Sequence, residues 1–120
     1  MAHPDVDHRI TISPYGGRIT VWSGGTVIAD SRNALALAED RYPVVYYLPR
    51  TDIPMDRFSR SDHTTHCPFK GDATYYNVEI DGRMVENAVW SYETPNENVA
   101  AIAGHLAFYP DRFSVDVMGD

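Results

Sequence analysis

The sequence predicts an all-β fold, or a β fold with one short helix. Three observations support this fold class. Short runs of β-branched and aromatic residues recur along the chain, turns rich in glycine and proline separate them, and the pairs Gly24-Gly25 and Asp81-Gly82 are typical of tight hairpins. With 120 residues, 43% of them hydrophobic, the chain is expected to form one compact domain over residues 1–120.

The first half of the chain reads as strands. They are predicted over residues 8–12, 18–22, 26–30 and 42–48, the last as a buried strand closed by proline. Residues 33–39 (NALALAE) are predicted as a short strand or an irregular edge, because seven residues are too few to reveal helical periodicity and both flanks are β. Residues 1–7 are expected to be loosely ordered.

The second half contains a long polar segment and the clearest hairpin. Residues 50–72 are predicted to be a long, ordered, functional loop with one helical turn that Met55 and Phe58 anchor. A hairpin around Asp81-Gly82 places Tyr75 opposite Ala88 if no bulge intervenes. The remaining predicted elements are strands at 105–109 and 113–117 and, before them, a short helix at 99–103 that ends at Gly104.

Composition and charge exclude several classes of function. The net charge of −7, without a basic cluster, argues against nucleic-acid binding, which depends on neutralising phosphates. No apolar run approaches the ~20 residues of a membrane span, and the start of the chain lacks the pattern of a signal peptide. A single cysteine excludes an internal disulfide and agrees with a cytoplasmic location.

Cys67 and Lys70 form the most informative pair in the sequence. Cys67 is the only cysteine and Lys70 the only lysine, whereas arginine supplies the other basic side chains. Pro68 presets a four-residue turn that brings the two Cα atoms to within about 7 Å. A nearby ammonium favours the thiolate, the reactive form of cysteine, so both residues are predicted to be catalytic. The simpler alternatives are a packed thiol and a surface ion pair.

Further side chains are predicted to bind substrate around this turn. They are Tyr47, Arg50, Asp52, Thr65, His66, Tyr75, Trp90 and Tyr92. Arg50 and Asp52 follow the end of a strand, where loops carry function, and they also suit a mutual ion pair. The three aromatic residues of the hairpin form a wall that contacts either a flat ligand or the core.

Four segments together resemble domain-of-unknown-function family 427 of bacteria and fungi. They are YYLPRTD at 46–52, THCPFKG at 65–71, AVWSY at 88–92 with Pro95, and AGHLAFY at 103–109. The resemblance extends from about residue 18 to residue 117 and implies several coiled antiparallel sheets, similar to the β-tent folds, without an established reaction. It also favours Tyr47 over Tyr46 as the pocket residue.

The resemblance bears on cofactors as well. The family is sometimes labelled a nucleotidyltransferase, but the chain has neither a glycine-rich phosphate loop nor a paired-aspartate motif for Mg²⁺. Many β-tent relatives hold zinc with four cysteines. Here the alternative ligands are His63, His66, Cys67 and Asp62, in a spacing that is not a standard signature, so no metal or cofactor is predicted.

These residues predict a pocket between the Cys67–Lys70 turn, the end of the Tyr47 strand and the aromatic hairpin face. Lys70 and Arg50 would hold an anionic or carbonyl-bearing small molecule. An enzyme would use Lys70 or Cys67 in covalent or acid–base chemistry. The alternative is a non-catalytic binding or protein-interaction module with exposed tyrosine and tryptophan. A homodimer through an exposed sheet edge is compatible with either.

Overall fold

The computed structural model describes residues 9–119, so the expectation for residues 1–7 lies outside the described part. Within it the predicted all-β fold is confirmed. The strands are β1 (Ile10–Pro14), β2 (Arg18–Ser23), β3 (Thr26–Ser31), β4 (Leu35–Glu39), β5 (Val45–Tyr47), β6 (Phe58–Cys67), β7 (Gly71–Ile80), β8 (Arg83–Ser91), β9 (Leu106–Phe108) and β10 (Ser114–Met118). Short 3₁₀ helices occupy Arg50–Asp52, Met55–Arg57 and Glu97–Ile102. No helix among the described residues has the length and apolarity to cross a membrane.

The strands form three antiparallel sheets. The first has the order β1-β4-β5, the second β10-β2-β3 and the third β6-β7-β8-β9. Leu48 and Leu106 exchange backbone hydrogen bonds of 2.8 and 2.9 Å, which join the end of β5 to β9. The first and third sheets therefore meet where Leu48 pairs with Leu106. Strands β9 and β10 follow each other in the chain but belong to different sheets.

Two hydrophobic clusters fill the domain. The first core contains buried residues such as Ile19, Val21, Leu48, Val78, Val89 and Phe108. The second core is richer in tyrosine and contains Leu37, Tyr47, Ala73, Tyr75, Tyr92, Val99, Ile102 and Ala107, with Cys67 and Trp90 packed against it. Strand alternation separates the two, because successive residues such as Tyr75 and Tyr76 point to opposite faces of β7.

The predicted loop over residues 50–72 is largely a strand instead. After two 3₁₀ turns, of which Met55–Arg57 matches the predicted helical turn, β6 runs from Phe58 to Cys67. This strand lies at the edge of the third sheet, where most of its side chains are exposed. Its residues are therefore mostly polar, and the sequence lacks the hydrophobic alternation by which a half-buried strand is recognised. Conversely, of the predicted buried strand at 42–48 only Val45–Tyr47 forms a strand, Leu48 adds a single bridge to Leu106, and Tyr42 is 62% exposed.

The predicted pairing of the Asp81-Gly82 hairpin is confirmed next to the turn. Farther from the turn, the register of β7 against β8 is shifted. Ile80 pairs with Arg83 as predicted, but Tyr75 pairs with Trp90 rather than Ala88. A bulge in β8 causes the shift, and Asn87 adopts a φ of 51° there while its N–H donates to the side chain of Asn77. The shift is of two residues, an even number, so Trp90 and Tyr75 still lie on the same face.

Candidate functional site

The turn from Cys67 to Gly71 directs Lys70 into the protein. The Lys70 N–H donates to the Cys67 carbonyl at 3.1 Å, which closes the predicted turn. Gly71 has a φ of 117°, a conformation that side chains disfavour. Asn96 secures the turn from outside, because its N–H donates to the Lys70 carbonyl at 2.8 Å and its side-chain amide donates to the Pro68 carbonyl at 3.2 Å.

Lys70 forms a buried ion pair with Glu39. Its Nζ lies 2.6 Å from Glu39 Oε1 and 3.7 Å from Cys67 Sγ, and only 9% of the residue is exposed. Glu39 ends β4 in another sheet and was not predicted, since nothing in the local pattern distinguishes it from other acidic residues. Removing two charges from water is unfavourable even when they pair, so such a pair is a feature to be explained rather than an ordinary stabilising contact.

Aromatic and hydroxyl side chains surround this ion pair. The Trp90 indole N–H donates to the Tyr47 hydroxyl at 3.2 Å, and the hydroxyls of Thr65 and Tyr75 are 3.0 Å apart. Tyr92 is buried in the same core. The structure thus brings together seven of the predicted site residues: Tyr47, Thr65, Cys67, Lys70, Tyr75, Trp90 and Tyr92.

Burial keeps the tyrosines of this cluster protonated. It raises the pKa of Tyr47 to about 12, although the hydrogen bond from Trp90 acts in the opposite direction. Burial also raises the pKa of Tyr92, to which the nearby Tyr47 hydroxyl contributes. The pKa of Tyr109 is raised by burial and by its hydrogen bond with Tyr75. At neutral pH these phenols therefore act as neutral hydrogen-bonding groups.

Arg50 lies outside the cluster. Its Nη2 contacts Glu93 Oε2 at 2.5 Å and donates to the Tyr76 hydroxyl at 3.0 Å, on the side of the first core. Burial opposes ionisation of Glu93, but hydrogen bonds from Ser91 and Arg50 outweigh it and lower the pKa of that carboxyl. The pocket role expected for Arg50 therefore has no support in this arrangement.

Asp52 and His66 are also directed elsewhere. Asp52 accepts hydrogen bonds from Ser31 at 2.6 Å and Asn33 at 3.3 Å, so the suggested Arg50–Asp52 pair is replaced by two separate networks. His66 lies beside Asp72, with 67% of its side chain exposed. Strand alternation points it away from the face of Thr65 and Cys67.

The alternative zinc ligands are not gathered at one point. The His63 ring packs against Tyr75 with 4.6 Å between ring centroids, whereas His66 pairs with Asp72 at the surface. Within residues 9–119 no three His, Cys, Asp or Glu side chains are arranged to hold a metal ion.

A cavity of about 480 Å³ adjoins the cluster. Its walls come from β2 and β10 on one side and from the segment before and within β5 on the other. The lining residues are Ile19, Val21, Glu39, Tyr42, Pro43, Val44, Val45, Tyr46, Leu48, Trp90, Phe108, Pro110, Val115 and Val117. Among these described residues Glu39 alone is charged. Glu39 and Trp90 thus belong both to the cavity and to the ion-pair cluster.

The fold and the cluster define a small all-β domain with a buried lysine–carboxylate pair beside a tyrosine-rich core. Residues 11–119 match the family described as Domain of unknown function (DUF427), and the chain belongs to this family. The resemblance seen in the four sequence segments is thereby confirmed. A comparison with curated proteins finds no match.

The ion pair predicts strong coupling between Lys70 and Glu39. Lys70→Met or Glu39→Gln alone leaves one buried charge uncompensated, which costs about 3–5 kcal/mol of the free energy of unfolding. The double variant should be more stable than the sum of the single losses predicts, by about 1–3 kcal/mol. Urea unfolding of the unmodified chain, the two single variants and the double variant gives the four free energies of unfolding. The exposed Arg18–Asp30 pair is the control and should show far weaker coupling; equal coupling in both pairs would contradict the prediction.

The raised pKa of Tyr47 makes the stability of the fold sensitive to alkaline pH. Unfolded tyrosine ionises near pH 10, whereas folded Tyr47 holds its proton to about pH 12. The folded state thus binds the extra proton, and the free energy of unfolding falls as the pH rises from about 10 to about 12. Tyr47→Phe should reduce this fall while costing about 1 kcal/mol at neutral pH through the unpaired indole N–H. Unfolding titrations across the pH range test this. Tyr42→Phe, at a side chain that is 62% exposed, is the control and should cost less than Tyr47→Phe at neutral pH.

Proposed function

We propose that this protein binds a small, largely apolar molecule in the cavity between β2, β10 and β5. The observation that carries the proposal is the cavity itself, whose volume of about 480 Å³ is typical of small-molecule sites and whose described lining is uncharged except for Glu39. It adjoins the cluster that the sequence singled out, because Glu39 bonds Lys70 and Trp90 bonds Tyr47.

The gradient of exposure along the cavity supports this function. Ile19, Val21 and Leu48 are fully buried in its walls, whereas Tyr42 and Val44 are exposed at its mouth. Exposed apolar side chains grouped at the mouth of an apolar cavity mark a binding surface more often than isolated ones do. The rings of Trp90, Phe108 and the two lining tyrosines offer flat faces for stacking.

The positions of the charged and aromatic side chains favour neither the anionic ligand nor the exposed aromatic interaction surface that the sequence suggested. Lys70 pairs with Glu39 and does not line the cavity, and Arg50 pairs with Glu93, so neither group is placed to attract an anion there. Tyr75 and Tyr92 are buried, so they do not present the exposed aromatic surface that a protein-interaction module would use.

A reaction at Cys67 is the second candidate. The 3.7 Å separation of Cys67 Sγ and Lys70 Nζ, with Glu39 bonded to the same ammonium, favours it. Cys67 would give its thiol proton to Glu39 and attack a carbonyl group through the sulfur, while Lys70 would donate a proton to the carbonyl oxygen or leaving group; Glu39 would then pass the thiol proton to Lys70. The thiol is only half-buried, which leaves part of it accessible to such a substrate.

Filling the cavity mouth should weaken binding. N-phenyl-naphthylamine, a neutral probe whose fluorescence rises in apolar surroundings, is expected to bind the unmodified chain. Val44→Trp should weaken this binding by about tenfold or more, since the larger ring occupies the mouth. Val27→Trp is the matched control, because Val27 is 44% exposed, against 45% for Val44, and does not line the cavity. Equal binding by all three proteins would contradict the proposed site.

The second candidate predicts an activated Cys67. Iodoacetamide should alkylate Cys67 in the folded protein faster than in urea, and Lys70→Met should slow the reaction several-fold, because the ammonium favours attack by the sulfur. Mass spectrometry of timed samples gives both rates. Slower alkylation of the folded protein than of the unfolded chain would mean that Cys67 only packs, and would leave the cavity proposal untouched.

A further inference from the structure

We infer that the cavity selects an uncharged molecule that carries a hydroxyl or N–H donor, and that it rejects carboxylates and phosphates. This inference rests on the proposed function and specifies the chemical class of its ligand. It reverses the anionic ligand that the sequence favoured, and the reason lies in which residues face the cavity.

The charges around the cavity disfavour an anion. Glu39 is the charged residue of the described lining, while its partner Lys70 is outside the lining. An anionic ligand would therefore approach the carboxylate more closely than the ammonium, and repulsion would exceed attraction. The net charge of −7 on the chain adds to this repulsion at longer range.

A cationic ligand gains little in return for its lost hydration. The Lys70 ammonium, 2.6 Å from Glu39 Oε1, offsets part of the attraction that this carboxylate would exert on a second cation. A second cation would lose its water and meet the charge of Lys70 a few ångströms away. Contact with the faces of Trp90 and Phe108 returns only part of that loss.

The polar groups that remain favour a donor on the ligand. An ionised carboxylate is an acceptor only, and the indole N–H of Trp90 is already committed to the Tyr47 hydroxyl at 3.2 Å. The hydroxyls of Tyr42 and Tyr46 can act in either role. A neutral hydroxyl or N–H therefore finds an acceptor in Glu39 without adding charge to an apolar cavity.

Four probes with the same apolar body test this selection. They are para-propylphenol, propylbenzene, para-propylbenzoate and para-propylbenzylammonium. At neutral pH the shift of the Trp90 indole resonance in the isotope-labelled full chain measures each affinity. The phenol should bind about tenfold or more tightly than the benzoate, with the other two probes between them. Tighter binding of the phenol than of propylbenzene isolates the contribution of the donor.

Variants of the Lys70–Glu39 ion pair test whether its charges cause this selection among ligands. Glu39→Gln leaves the Lys70 ammonium uncompensated next to the cavity, so the benzoate should gain at least about tenfold and become the preferred probe. Lys70→Met combined with Glu39→Gln removes both charges, and the difference between phenol and benzoate should shrink. The series on the unmodified chain decides the inference even if a variant does not fold.

The two proposals fail in different ways. Benzoate binding as tight as phenol binding in the unmodified chain would overturn the ligand class, while the cavity would remain a binding site. A lack of binding by all four probes, together with no binding of N-phenyl-naphthylamine, would overturn the proposed function and this inference with it.

Discussion

The ion pair between Lys70 and Glu39 is the interaction on which the rest of the candidate site depends. It joins the β6–β7 turn of the third sheet to the end of β4 in the first, and it balances charge inside the second core. Because desolvation offsets much of the attraction in such a pair, its neighbours must satisfy the remaining polar groups. The turn therefore needs the unusual backbone of Gly71 and the two hydrogen bonds from Asn96, which together hold Lys70 in place.

The cavity arises where the three sheets meet. Backbone bonds between Leu48 and Leu106 hold the first and third sheets together, and β2 and β10 of the second sheet approach from the side. Residues from all three sheets line the space between them. Glu39 and Trp90 border this space and also contact the tyrosine-rich core, so the buried polar groups lie directly beside the cavity.

Much of the local structure could be predicted from residues close in sequence. The Cys67–Lys70 turn followed from Pro68, and the hairpin register next to Asp81-Gly82 followed from its two-residue loop. Strand β6 could not be recognised, because an edge strand with exposed faces lacks the alternation that burial imposes. The β8 bulge was missed for another reason: Asn87 takes its positive φ only where the Asn77 side chain replaces a partner of the regular ladder.

The sequence by itself determined the fold class, the main turns and the placement of Cys67 and Lys70 on one turn, since these depend on residue type and on neighbours a few positions away. Only the tertiary structure decided how the charged groups are paired. Lys70 forms an ion pair with Glu39, and Arg50 forms one with Glu93. Asp52 accepts a hydrogen bond from Ser31. In each case the two residues come from distant parts of the chain. A buried charge must pair with whichever opposite or hydrogen-bonding group the packed sheets bring within reach, and no local pattern encodes that choice.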